Sequence, residues 1–266
     1  MATVTIDGTE LFYERRGAGE PLLLIQGLGG HSLHWGDRFL DALEESFEVV
    51  VYDHRGAGRS AAASSASPAI VSSPPSAALL DALEVGSAHV AGISMGGMVA
   101  QELALTHPER VRTLTLGCTF PGGPEATMTD MAVVGALAEA VLSGDPERAV
   151  RAGYDVMLAP EYAADPDNYA RYAQVAAQYP APVGLLMAQL QAVVGHDASE
   201  RLAQIGVPTL VVHGTADRLM SPVNGKLLAR LIPGARLELL EGAGHMFFWE
   251  QPERSAQLVR EHALRQ

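Results

Sequence analysis

Short, mostly apolar runs recur along this chain, each followed by a turn and then by a stretch with helical spacing. The runs are 21–25, Phe47–Tyr52, Ala88–Ile93, Val111–Gly117, 209–213 and Arg236–Leu240. A strand that is apolar at every position is buried on both faces, which is the pattern of a parallel sheet sandwiched between helices. Helical spacing falls between the runs at 37–45, where Phe39, Leu40 and Leu43 share one face, and at 77–83, Met95–Thr106, 223–231 and 252–263. This alternation predicts an α/β fold, an open and mostly parallel central sheet with helices on both faces. The N-terminus differs. Residues 3–6 and 11–15 flank Asp7-Gly8, a type I′ turn signal, and predict a hairpin.

Two stretches break the rhythm. Residues 61–76 are rich in Ala, Ser and Pro and read as a flexible loop. Residues 121–206 hold no strand-like run but carry helical patterns at Met131–Leu142 and 182–194. They read as a helical insertion that divides the core into 1–120 and 207–266, and no internal repeat is present.

A chain of 266 residues, 48% of them hydrophobic, can bury a sizeable core as one unit. Its formal charge of −13 argues against a nucleic-acid partner, which needs clustered Lys and Arg, and against a polybasic membrane contact. Cys118 is the only cysteine, so an internal disulfide, a CxxC redox pair and a multi-cysteine zinc site are excluded. The first residues show no basic stretch followed by an apolar run, and no apolar run is long enough to span a bilayer. The expected location is the cytoplasm.

Gly92-Ile93-Ser94-Met95-Gly96 follows one of the apolar runs and opens a helical one. A G-x-S-x-G segment between strand and helix is a sharp, strained turn that lifts the serine hydroxyl clear of the sheet's carboxyl edge, the edge at which open α/β sheets bind ligands. The helix beginning at Met95 points its positive end at that hydroxyl. Ser94 is therefore the candidate nucleophile, and it requires a base. His245 lies in Gly242-Ala243-Gly244-His245, just after the last strand-like run and at the same edge. His54, His89, His107, His196 and His213 have weaker positions. Asp217 follows the preceding run and is the candidate acid to orient His245, which gives the chain order Ser, Asp, His. The tetrahedral intermediate of acyl transfer needs two amide donors. Met95 N–H is the expected first donor, and Leu28 N–H, in Gln26-Gly27-Leu28-Gly29-Gly30, is the expected second.

Together these segments resemble the α/β-hydrolase superfamily over nearly the whole chain. The carriers are Gly27–Gly30, Gly92–Gly96, the Asp217 and His245 pair, and Asp53-His54-Arg55-Gly56-Ala57-Gly58-Arg59-Ser60, which looks like the family's D-x-R-G-x-G-x-S structural loop. The stretches Ser94-Met95-Gly96-Gly97-Met98-Val99-Ala100-Gln101 and His107-Pro108-Glu109-Arg110-Val111 are similar to those of bacterial esterases and lactonases, including 3-oxoadipate enol-lactonase and cofactor-free haloperoxidase-type esterases. The resemblance implies that 121–206 caps the site. Serine at 94 departs from the haloalkane dehalogenases and epoxide hydrolases of this fold, which use Asp, and Gln26 stands where many members carry His.

The expectation is a serine hydrolase that cleaves a small-molecule carboxylic ester or lactone, without metal or cofactor. Candidate walls of its pocket are His31, Trp35, Tyr154, Met157, Met187 and Met246. Arg148, Arg151 and Arg171 are candidates to pair with a substrate carboxylate, and Cys118 reads as a small core residue. Hydrolysis of a C–C bond, a non-hydrolytic lyase reaction, and a slow-turnover small-molecule receptor on the same scaffold remain open at this point.

Overall fold

The computed structural model describes residues 2–61 and 76–264, and most of the expected loop at 61–76 lies outside the described residues. The apolar runs form strands β3 (Glu20–Ile25), β4 (Phe47–Tyr52), β5 (Ala88–Ile93), β6 (Val111–Gly117), β7 (Thr209–Gly214) and β8 (Arg236–Leu240). The N-terminal hairpin is β1 (Ala2–Ile6) and β2 (Thr9–Gly17), and its turn has positive φ at both Asp7 (48°) and Gly8 (75°), as a type I′ turn requires. The eight strands lie in the order β1-β2-β4-β3-β5-β6-β7-β8. All pairs from β4 to β8 are parallel; β1 with β2 and β2 with β4 are antiparallel.

Every residue of β5 and of β7 is buried, but successive side chains enter different layers. Leu23 and Ile25 of β3 join one core with residues from α2 (Ser76–Ala82), α3 (Met95–Thr106) and α9 (Pro222–Leu231). Leu22 and Leu24 join the other with Phe39, Leu40 and Leu43 of α1 (Asp37–Glu44), Phe248 of α10 (Phe247–Glu250), and Leu258 and Val259 of α11 (Pro252–Leu264).

Between β6 and β7 the chain forms α4 (Met131–Leu142), α5 (Pro146–Met157), α6 (Pro160–Ala163), α7 (Pro166–Ala176) and α8 (Val183–Val194). Asp145 caps α5 by accepting from Glu147 N–H and Arg148 N–H, and Asp165 caps α7 by accepting from Asp167 N–H. Each of these helices has proline in its first turn, where the missing N–H has no helical partner to lose.

β3 pairs with β4 on one side and β5 on the other, so the chain reverses its direction of travel across the sheet between them. That switch point opens a crevice at the carboxyl ends of β3 and β5. The turn after β5 closes tightly there: a Cβ on Gly96 would lie 2.1 Å from the Ile25 carbonyl oxygen. Gly96→Ala is therefore expected to destabilise the protein by about 2 kcal/mol or more, because backbone on both sides would have to shift. Chemical denaturation at equilibrium checks this; an unchanged midpoint and slope would contradict it.

Candidate active site

Ser94 sits between β5 and α3 with φ 53° and ψ −124°. A positive φ on a residue with a Cβ is strained by about 1–3 kcal/mol and persists only where the surroundings hold it. Here Ser94 N–H donates to the Gly117 carbonyl at 2.9 Å, and Thr119 Oγ1 donates to the Ser94 carbonyl at 2.7 Å. Ser94 is half-buried where every neighbour from Ala91 to Ala100 is buried.

Asp217 follows β7. Its Oδ1 accepts from Leu219 N–H (2.9 Å) and Met220 N–H (2.8 Å), which fixes the carboxylate plane. Its Oδ2 lies 2.8 Å from His245 Nδ1. Because a carboxylate only accepts, His245 Nδ1 carries a proton, and in the neutral ring the lone pair is on Nε2. Burial by itself would raise the Asp217 carboxyl, but the facing His245 and His213 rings outweigh it and hold the group well below the usual carboxylate range. Burial likewise opposes charge on His245, and the Asp217 carboxylate overcomes it, lifting the imidazole well above its ordinary value.

His213, the penultimate residue of β7 and one of the weaker candidates for the base, lies against Asp217. Its Nε2 is 3.2 Å from Asp217 Oδ2 and 2.9 Å from the Met220 carbonyl, both acceptors, so it donates and Asp217 serves two imidazoles. Cys118 is buried with φ 39°, as a core residue, and its thiol also lies beside the His245 ring. Burial pushes that thiol upward, keeping it neutral. Glu250 Oε1 accepts from Gly244 N–H (3.0 Å) and Ala159 N–H (3.1 Å), and Met246 N–H donates to the Met157 carbonyl (3.0 Å). These bonds tie the His245 loop to the helical insertion. Burial raises the Glu250 carboxyl to about 7.

The loop after β3 faces Ser94, and a Cβ on Gly27 would stand 3.1 Å from the Ser94 Cβ and 3.6 Å from its Oγ. Gly27 N–H is taken by Gln26 Oε1 (2.8 Å) and Gly29 N–H by Gln189 Oε1 (2.7 Å). Leu28 N–H, between them, has no acceptor among the described residues, and neither does Met95 N–H at the start of α3. Gln26 retains a loop bond of its own through His54 Nε2, which meets the Gln26 carbonyl at 2.8 Å.

The pocket candidates divide. His31 is buried against the His34 ring (3.9 Å between centroids) and the edge of Tyr179 (5.5 Å). Tyr154 is buried between Tyr169 and Tyr172 at the seam where Met157 and Met246 meet. Trp35 stacks on Phe39 and packs against Phe248, and it borders a small apolar cavity with Phe39, Phe247 and Val259. Met187 is 58% exposed on α8. The three candidate arginines have partners within the insertion. Arg148 pairs with Glu139 (2.5 Å), Arg151 pairs with Asp155 (2.9 Å), and Arg171 bonds Asn168.

The sequence profile described as alpha/beta hydrolase fold matches residues 20–252. A relative named as a carbamate hydrolase, RutD, from Azorhizobium caulinodans is 34% identical over 92% of this chain and 91% of its own. A poly(3-hydroxyalkanoate) depolymerase from Ectopseudomonas oleovorans is 30% identical over 90% of this chain and 82% of its own. Among solved structures, an enol-lactonase from Burkholderia xenovorans LB400 superposes with a TM-score of 0.84 at 26% identity, covering 98% of this chain and 99% of that one. The chain belongs to the α/β-hydrolase family.

Proposed function

We propose that this protein hydrolyses a carboxylic ester or lactone through an acyl-enzyme on Ser94. The observation that carries the reading is the 2.8 Å bond between His245 Nδ1 and Asp217 Oδ2, at the same sheet edge as the strained Ser94 turn. In this reading His245 Nε2 takes the Ser94 proton as Oγ attacks the carbonyl carbon. Leu28 N–H and Met95 N–H stabilise the oxyanion. The imidazolium, stabilised by Asp217, then gives its proton to the departing alcohol. Water, deprotonated by the same nitrogen, attacks the acyl carbon and releases the acid and Ser94.

Residues 121–206 act as a cap in this proposal, and His31, Tyr154, Met157 and Met246 are its choice of acyl-site walls. An uncharged, apolar acyl group suits this cap. No Asp, Glu, Lys or Arg occurs between Arg171 and Asp197, and Val183, Leu190 and Val194 are exposed along α8. A second reading, cleavage of a carbamate, is favoured by the identity to the RutD relative, since a carbamate offers the same kind of carbonyl to the same groups. Assays of p-nitrophenyl esters from acetate to decanoate, of lactones and of carbamates, with acid, alcohol and amine products identified, test the reaction class. Turnover of carbamates alone would replace the first reading by the second. Products of C–C cleavage alone would overturn both.

The base works as neutral imidazole, and Asp217 raises the His245 pKa above 6.5. The expected kcat/KM therefore rises with pH on an acid limb whose midpoint lies above 6.5 in the free enzyme. A midpoint well below that would mean that His245 does not govern the rate.

A further inference from the structure

Gln189 lies in α8 of the insertion, yet its side chain reaches the loop after β3, 160 residues away in sequence. It is a polar residue only 1% exposed. Its Oε1 takes Gly29 N–H at 2.7 Å, and its Nε2 is buried with no hydrogen-bond partner among the described residues. Gln26 mirrors it on the other side of Leu28: Oε1 takes Gly27 N–H, and Nε2 is again buried without a partner among the described residues. Both carboxamides thus spend their acceptor on the loop while their donors go unused. Burying an amide with its donors unpaired is unfavourable, so packing alone would favour an apolar side chain at 189. The acceptor is what an apolar side chain lacks.

We infer that Gln189 is a positioning residue of the oxyanion loop: by holding Gly29 N–H it fixes the peptide that follows Leu28 and leaves Leu28 N–H alone aimed at the developing oxyanion. The loop needs such an external fix. Gly29 has φ 69° and Gly30 follows it, so the backbone has few local constraints. From within, Gly30 N–H meets the Gly27 carbonyl at 3.2 Å and Gln26 Oε1 holds Gly27 N–H, but neither bond reaches the peptide after Leu28. A loop that wanders by a fraction of an ångström loses most of the benefit of a preset donor. Because the fixing acceptor comes from the insertion, the oxyanion donor is set only when α8 is seated against the loop. The Leu186 side chain packs over Gly29 but offers it no acceptor, so contact and hydrogen bond can be separated by substitution.

This inference rests on the serine acyl-enzyme reading above. The test uses Gln189→Met, which keeps the length of the side chain and removes the acceptor, with Gln189→Ala as a second variant and Leu186→Ala as a packing control. Three quantities are read: kcat and KM on the best p-nitrophenyl ester, the rate of Ser94 phosphonylation by a fluorophosphonate, whose phosphoryl oxygen uses the same donors, and Tm. The expected result is a kcat about tenfold lower and phosphonylation slowed to the same degree, with KM within about twofold and Tm little changed. Leu186→Ala is expected to move KM or Tm more than kcat. If Gln189→Met fails to fold, Gln189→Ala is read by the same criteria. An unchanged kcat and phosphonylation rate, or a loss confined to KM, would overturn the inference. Ser94→Ala, assayed alongside, separates the two levels: activity retained there removes the serine reading itself, whereas loss there with normal Gln189 variants removes only the role of Gln189.

Discussion

Ser94→Ala is expected to lower kcat by at least about 10⁴-fold and to leave the fold intact. The substitution removes one oxygen. The contacts that hold position 94 in its strained conformation are backbone contacts, Ser94 N–H to Gly117 and Thr119 Oγ1 to the Ser94 carbonyl, and alanine keeps both. Serine and alanine meet the same Cβ strain at φ 53°, so Tm should stay close to that of the parent protein. The residual rate measures what the amide donors and binding supply without a nucleophile. Steady-state hydrolysis of a p-nitrophenyl ester, with fluorophosphonate labelling in parallel, reads both effects. Substantial turnover by the variant would mean that another group attacks the substrate.

Asp217→Asn should be nearly as damaging, about 10⁴-fold in kcat, for a different reason. Four donors converge on the carboxylate: Leu219 N–H, Met220 N–H, His213 Nε2–H and His245 Nδ1–H. An amide has one oxygen to offer. If that oxygen stays on the two backbone donors, its NH₂ faces both imidazoles, and His245 can meet it only by moving its proton from Nδ1 to Nε2. The nitrogen facing the nucleophile is then already protonated and cannot act as base. The loss of the carboxylate also removes what raises the His245 pKa, so the acid limb of kcat/KM should move to lower pH. Raising the pH should therefore not restore activity, because the fault lies in the tautomer and not in the charge. A pH–rate profile of the variant checks this: recovery at high pH would mean that Asp217 acts only through charge.

The sheet and the main candidate residues were legible because both depend on strong, local patterns. Phe47–Tyr52, Ala88–Ile93 and Val111–Gly117 are mostly apolar runs whose ends coincide with the strands, since burial on both faces leaves few polar positions inside them: Glu48 is half-buried, Arg112 is exposed, and His89 is buried with both ring nitrogens bonded. Ser94, Asp217 and His245 could be named because each follows a strand end, and parallel strands bring all their carboxyl ends to one edge. The insertion was read less fully. Helices α5 and α7 carried usable signals, Asp145-Pro146 and Asp165-Pro166, in which a capping carboxylate precedes a proline at the first helical position. Trp35 was open to a pocket role because a large aromatic after a glycine-rich loop suits either a pocket or a core. In the structure its ring stacks on Phe39. The contacts of His213 and Gln189 had no local signal at all. The first depends on a side chain turning back to a residue that already has a partner, and the second spans the chain from insertion to sheet, a contact that exists only once α8 is seated.

The most direct test of the acyl-enzyme on Ser94 is rapid quenching of the enzyme with excess p-nitrophenyl ester, followed by mass analysis of the peptide that contains Gly92–Gly96. The account predicts a burst of p-nitrophenol approaching one equivalent when deacylation is slow, and a mass increase equal to the acyl group on Ser94, absent in Ser94→Ala. Steady hydrolysis with no adduct on Ser94 under conditions in which a burst is seen, or an adduct on another residue, would contradict it.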